Sequence, residues 1–222
     1  MTTLVIVTHS GMGDIIIANA LVRHFAKTNN VIVPVLQRNV ESAIFMFRDC
    51  PNVKVILRDN RKWKEPCIRV GAGGPGPWRR DFVLGYYRQH GLNPNLRYEG
   101  FHVEPDPSIE LQPPPFKFAF AQNYSVPMRI RTALPIVYAS HVASRNNIFA
   151  YLKILETASE IHVPDSCFLH IVESIPPPAS TQLFWHAYAK PTAIPPVTRL
   201  RWSIIDPPTG FRQGEDDPTL NT

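Results

Sequence analysis

Cysteine is scarce: Cys50, Cys67 and Cys167 are the three in 222 residues. Odd in number and widely spaced, they make neither a disulfide framework nor a CxxC metal site, and reduced thiols in a cytoplasmic protein fit them. Long apolar runs are missing too. The run at residues 4–7 falls far short of the ~20 residues that span a bilayer. No basic-then-apolar segment with a small-residue cleavage site opens the sequence, so no secretory leader is expected. Charged residues make up only 18% and apolar residues 44%, which allows a sizeable core and excludes a chain disordered throughout. The length suits one large domain or two small ones.

Several chemical signatures are absent. There is no GxGxxG and no Walker A loop, so neither a dinucleotide site nor a P-loop is expected. GxSxG is missing, which argues against a Ser-His-Asp hydrolase of the nucleophile-elbow type. Eight histidines form no HExxH or HxxxH, so no metal site is expected. No RRM, KH or helix-turn-helix signature accompanies the basic residues, and nucleic acid is a disfavoured partner.

Glycine is sparse, at 11 residues, and proline abundant, at 23. The prolines cluster late, at 113–115, 176–178, 195–196 and 207–208, and punctuate the second half into short elements. Charge is uneven as well. Residues 1–100 hold 14 Lys and Arg against 7 Asp and Glu, whereas residues 101–222 hold 9 against 11. The basic excess, densest at 58–80, fits nucleic acid, an anionic membrane surface, a phosphorylated substrate or a simple solvated face.

The first half alternates strand and helix. Residues 3–8 form a β-branched apolar run and read as a buried strand. A glycine turn follows, then a helix from Asp14 with Ile16, Ile17, Ala20, Leu21 and Phe25 on one face, closing at Asn29 and Asn30. Residues 31–36 read as a strand, 40–47 as a helix and 53–57 as a third strand, which together imply a parallel sheet. Residues 58–80 read as a loop, 81–90 as a short helix and 101–115 as a linker. Beyond it, 116–121, 134–139, 160–163, 183–188 and 201–205 read as strands. Helices are expected from Asn147 and over 167–174.

Two strand-to-helix turns stand out. The turn Ser10-Gly11-Met12-Gly13-Asp14 allows close backbone approach to a ligand. Asp14 in the first helical turn reads either as an N-terminal cap or as a functional carboxylate. Asp165 and Ser166 follow the strand EIHV and are either cap residues or a ligand site at a strand's carboxyl end. His170, one turn beyond Ser166, reads as structural.

The stretch VTHSGMGDIIIANALVRHF resembles the opening of heptosyltransferase-like glycosyltransferases of the GT-B fold. NIFAYLKILETASEIHVPDSCFLHIVESI resembles their donor-side unit, and LFWHAYAKP with LRWSII resembles their closing strands. The resemblance covers roughly residues 3–57 and 147–205. It implies an α/β fold with two Rossmann-like parallel-sheet units in a GT-B arrangement, the second unit reduced. Residues 1–105 would form the acceptor-side domain, 116–205 a smaller donor-side domain, and 206–222 a flexible tail. It implies a metal-independent transfer of sugar from a nucleotide-sugar to a hydroxyl of a glycan or glycolipid, with no cofactor besides that co-substrate.

By the same resemblance Asp14 is the base for the acceptor hydroxyl. Ser10, Gly11, Met12 and Gly13 shape the turn around the substrates, and Asp165 and Ser166 sit at the donor. Arg129 and Arg131 are both candidates for the basic residue on the donor side. Well-known members carry Asp-Ser-Gly where this chain has Asp165-Ser166-Cys167. A cytoplasmic setting follows, with peripheral contact at the inner face of an anionic membrane as one version of it. The alternative is a non-catalytic nucleotide- or carbohydrate-binding relative. A nucleic-acid-binding protein using residues 58–80 ranks below it.

Overall fold

The computed structural model describes residues 1–8, 11–59, 63, 66–71, 82–122, 128–139, 147–189 and 198–206. The chain divides into two compact units. Met1–Ile109, joined by residues 147–149, forms the first, and the second begins at Glu110.

In the first unit, β1 (Thr2–Val7), β2 (Asn29–Val35), β3 (Val53–Leu57) and β4 (Ile68–Arg69) form one sheet in the order β3-β2-β1-β4. Every pairing is parallel: Leu4 lies beside Val31, Val31 beside Val53, and Ile6 beside Ile68. Inner strands of such a sheet are covered on both faces, which is why β1 and β2 are near-continuous β-branched runs. Ile6, Val31 and Val33 are accordingly buried.

The strand order reverses once. The chain moves outward from β1 through β2 to β3, then returns to the other side of β1 at β4. The gap between the carboxyl ends of β1 and β4 is therefore a topological switch point, where open α/β sheets bind ligands.

The helix expected from Asp14 begins earlier and is divided at Ala18 into α1 (Met12–Ile17) and α2 (Asn19–Ala26). Asn29 and Asn30 open β2 instead of only ending a helix. Next come α3 (Val40–Phe47), α4 (Phe82–Arg88) and α5 (Leu96–Glu99), the last not foreseen from the sequence. Reading 58–80 wholly as a loop is corrected as well. Ile68 and Arg69 form β4, held by backbone pairing to Ile6 and Val7 and not by any apolar run of their own.

The second unit carries a five-stranded sheet: β5 (Ala119–Ala121), β6 (Ile136–Tyr138), β7 (Glu160–Val163), β8 (Gln182–Trp185) and β9 (Ser203–Ile204). The order is β6-β5-β7-β8-β9, again all parallel, with its reversal between β5 and β7. The strands are short, in keeping with the late prolines. Two α-helices are present among the described residues, α6 (Leu152–Thr157) and α7 (Cys167–Ser174). Asn147 does cap the expected helix, its Oδ1 accepting from Phe149 N–H at 3.1 Å, but the start is a 3-10 turn over Ile148–Tyr151.

Phe120, Tyr151 and Phe168 fill the core of this unit, with ring centroids 5.2–5.8 Å apart. Glu173 on α7 is fully buried. Its carboxylate accepts from the backbone N–H of Arg199 at 2.6 Å, that of Leu200 at 3.1 Å and Trp202 Nε1 at 2.7 Å, anchoring the approach to β9. Among the described residues no helix is long and apolar enough to cross a membrane. The tail expected at 206–222 lies, beyond Asp206, outside the described residues.

Candidate functional site

In each unit the described predicted residues follow strands that border a switch point. In the first unit, Gly11 precedes α1 in extended conformation, and Asp14 is the third residue of the helix. Asp14 Oδ2 accepts from Gly11 N–H at 3.0 Å, and Oδ1 accepts from Tyr86 O–H at 2.6 Å. The carboxylate thus closes the helix start and also receives a hydroxyl from α4. A side chain at Gly11 would place its Cβ 2.8 Å from Asp14 Oδ2, so the carboxylate occupies space that only glycine leaves. Met12 is buried and Gly13 half-buried within the same turn. Ser10 lies outside the described residues.

Tyr86 was not found from the sequence. It is fully buried, and burial together with the neighbouring Asp14 charge pushes its hydroxyl well above the ordinary value of 10. The phenol is therefore a permanent donor. Tyr87 anchors the same helix pair, donating to the Ile17 carbonyl at 2.6 Å. Arg97, buried on α5 with its guanidinium 5.0 Å from the Tyr98 ring, offsets part of the upward shift of both tyrosines.

Gly71 follows β4 with φ +93°, and a Cβ there would come within 2.6 Å of the Tyr86 hydroxyl. The Gln89 side chain fixes that turn, its Nε2 donating to Gly71 O at 3.1 Å. The turn after β4 and the turn after β1 therefore meet at one hydroxyl. A faint signal existed in the glycine-rich stretch itself, where an isolated φ > 0 turn is common.

In the second unit, Gln122 follows β5, and its N–H donates to His162 O at 3.1 Å. Its buried Oε1 takes no hydrogen bond among the described residues. Further on, Met128 is buried, Ile130 half-buried, and Arg129 and Arg131 exposed. This alternation sets both guanidiniums on the side away from the Met128 cluster. Asp165 and Ser166 follow β7, the strand next to β5. Ser166 is the N-cap of α7 in extended conformation, yet its hydroxyl makes no cap bond and is buried without a hydrogen-bond partner among the described residues. Asp165 Oδ1 lies 3.8 Å from Nε2 of the buried His170, one turn along, which gives that histidine a carboxylate neighbour. The four donor-side candidates thus stand on the segments that leave two adjacent strands.

A second feature escaped the sequence reading. His162 Nδ1 lies 3.0 Å from His186 Nε2, His162 Nε2 lies 3.2 Å from Glu160 Oε2, and His186 Nδ1 lies 3.3 Å from Tyr188 Oη. Burial lowers both imidazoles below their ordinary 6.5, His186 to about 4. Glu160 and His162 share a strand face by alternation, but His186 is 24 residues away, and parallel register brings it there. Among the described residues no group of three or more His, Cys, Asp or Glu side chains is placed to hold a metal ion.

No protein-family model matches this chain, and no curated protein sequence matches it. Among solved structures it is similar to the iron-containing dodecameric glycosyltransferase TibC of enterotoxigenic E. coli H10407, at 12% identity and a TM-score of 0.48. The match covers 80% of this chain and 56% of that one, so the chain spans little more than half the length of that protein.

Proposed function

We propose that the chain is a glycosyltransferase that moves a sugar from a nucleotide-sugar donor to a hydroxyl of a glycan or glycolipid, without a metal ion. The observation that carries this reading is the seat of Asp14. A half-buried carboxylate stands at the switch point of the first sheet, oriented by donors from two separate elements, Gly11 and Tyr86. In this role Asp14 takes the proton of the acceptor hydroxyl as its oxygen bonds to the sugar's anomeric carbon. The bond from that carbon to the donor phosphate breaks, and its electron pair leaves on the nucleoside diphosphate. In this reading Arg129 and Arg131, on the second unit, neutralise that developing charge. Asp165 and Ser166, on the neighbouring strand end, face the rest of the donor. The basic first hundred residues suit an acceptor bearing phosphate or uronate, or work beside an anionic membrane in the cytoplasm.

A specific observation favours a second reading, a binding-only relative. Both oxygens of Asp14 are already engaged, one of them closing its own helix. On this second reading the carboxylate serves only as a cap.

The test is a thermal-shift panel of nucleoside diphosphates and nucleotide sugars, with and without a chelator, followed by transfer assays on Asp14→Asn. A chelator-insensitive shift with turnover that Asp14→Asn abolishes supports the transferase. The same shift without turnover in the unaltered protein supports the binding-only relative. A cooperative melt that no nucleotide moves removes both.

A further inference from the structure

We infer that Tyr188, backed by His186, His162 and Glu160, is a positioning residue for the two arginines at the carboxyl edge of the second sheet. The inference rests on the donor-side reading above, but its evidence is separate. Tyr188 Oη accepts from Arg129 N–H at 3.1 Å. The ring of Tyr188 clusters with Met128, and Ile130 and Ile205 pack against the pair. One side chain therefore grips residues 128–130 twice, by its ring and by its hydroxyl.

The hydroxyl is itself held in a directed chain. The Glu160 carboxylate only accepts, so His162 donates to it through Nε2. The neutral His162 ring then accepts at Nδ1 from His186 Nε2–H. That leaves His186 Nδ1 to accept from Tyr188 O–H, and the Tyr188 oxygen to accept from Arg129 N–H. Every donor in the chain is used once, provided both imidazoles are neutral, and burial favours that state. Phe184 stacks on His162 at 4.5 Å and 10°, fixing the ring plane.

The consequence is preorganisation. Met128 and Ile130 turn inward, so Arg129 and Arg131 turn outward together, at the spacing of one extended dipeptide. Two guanidiniums held on a fixed backbone bind a diphosphate without first ordering the segment that carries them.

Inorganic pyrophosphate is the probe, since it carries the diphosphate chemistry without a base or a sugar. Calorimetric titration of the full chain should show binding that Arg129→Ala weakens about tenfold or more. Tyr188→Phe keeps the ring and removes the hydroxyl, and should weaken binding about fivefold. In the Arg129→Ala background the same change should cost less than about twofold, because the two act as a unit. His186→Gln provides a second route to the same pattern should Tyr188→Phe melt below the assay temperature. Equal losses from Tyr188→Phe in both backgrounds overturn the inference. So does a loss in Arg129→Ala no larger than in Lys153→Ala, a change of an exposed cation elsewhere on the unit. Pyrophosphate binding with this pattern but no sugar transfer sustains the inference and sinks the transferase. Sugar transfer whose donor KM ignores both Tyr188→Phe and Arg129→Ala sinks the inference alone.

Discussion

Tyr86 Oη lies 2.6 Å from Asp14 Oδ1, across 72 residues of sequence, and joins α4 to the first turn of α1 at the switch point of the first sheet. The phenol is fully buried, so its hydrogen has no water to turn to. Tyr86→Phe removes one oxygen and leaves the carboxylate short of a donor. A hydrogen bond to a charged group of this kind contributes about 1.5–3 kcal/mol. Chemical denaturation should show a loss in that range. On the transferase reading the transfer rate should drop about tenfold or more as the base loses its orientation. A variant as stable and as active as the parent would mean the bond contributes nothing to either.

Gly71 leaves room for the same hydroxyl. Its φ of +93° is a conformation side chains rarely adopt, and the space a Cβ would need is filled by the Tyr86 phenol at 2.6 Å. Gly71→Ala combines backbone strain with that clash, and each is worth about 1–3 kcal/mol. The expected result is a melting temperature lower by several degrees and, on the transferase reading, a transfer rate that falls with it. Combined with Tyr86→Ala the penalty should shrink, because that change removes the hydroxyl, Cζ and Cε2, which stand 2.6, 2.7 and 2.9 Å from the Cβ. A double variant that simply adds the two losses would place the strain elsewhere.

How far this arrangement could be read beforehand depends on which forces build it. β1, β2 and β3 are legible because covered parallel strands must be apolar and β-branched, and short connections leave few topologies. β4 is not. Ile68 and Arg69 sit in a charged, glycine-rich stretch and become a strand only through backbone pairing with β1. Asp14 is legible as a position from the turn, and the arginines at 129 and 131 only through the family resemblance. Their partners are not. Tyr86 reaches Asp14 only once α4 packs on α1, and His186 meets His162 only through the register that pairs His162 with Phe184. Local pattern places a residue on an element, and tertiary packing decides what it touches.

Glu173 offers a test of the second unit's anchoring. A fully buried carboxylate is costly unless it is well hydrogen-bonded, and here three donors from residues 199–202 converge on it. Glu173→Ala should orphan all three and cost about 3 kcal/mol or more. Trp202 reports the loss directly, since its indole N–H is one of the three. Its fluorescence should shift toward that of a hydrated indole before the unit unfolds. A stable variant with unchanged emission would show that the segment is held by other contacts.

The paired histidines set the pH at which the second unit weakens. Both imidazoles are lowered by burial from their ordinary 6.5, His186 to about 4, with the positive field of one ring opposing protonation of the other. Unfolding releases both to ordinary behaviour, so between those values the unfolded chain binds protons that the folded one refuses. Stability is then full above about 6.5, declines as pH falls through the window and levels off below about 4. The facing nitrogens, 3.0 Å apart, leave room for one hydrogen between them, so the two rings cannot both be protonated without breaking contact. Glu160 at one end softens the effect, since its carboxylate favours a charged His162. Melting temperature measured stepwise from pH 7 to pH 4 should fall along this course, with a loss of roughly 1–3 kcal/mol. His186→Phe removes the more strongly shifted ring, and its curve should be flatter across the window even though its plateau is lower. A parent protein whose stability is level from pH 7 to pH 5, or a variant with the parent's slope, would mean the titrating groups of the acid transition lie outside this pair.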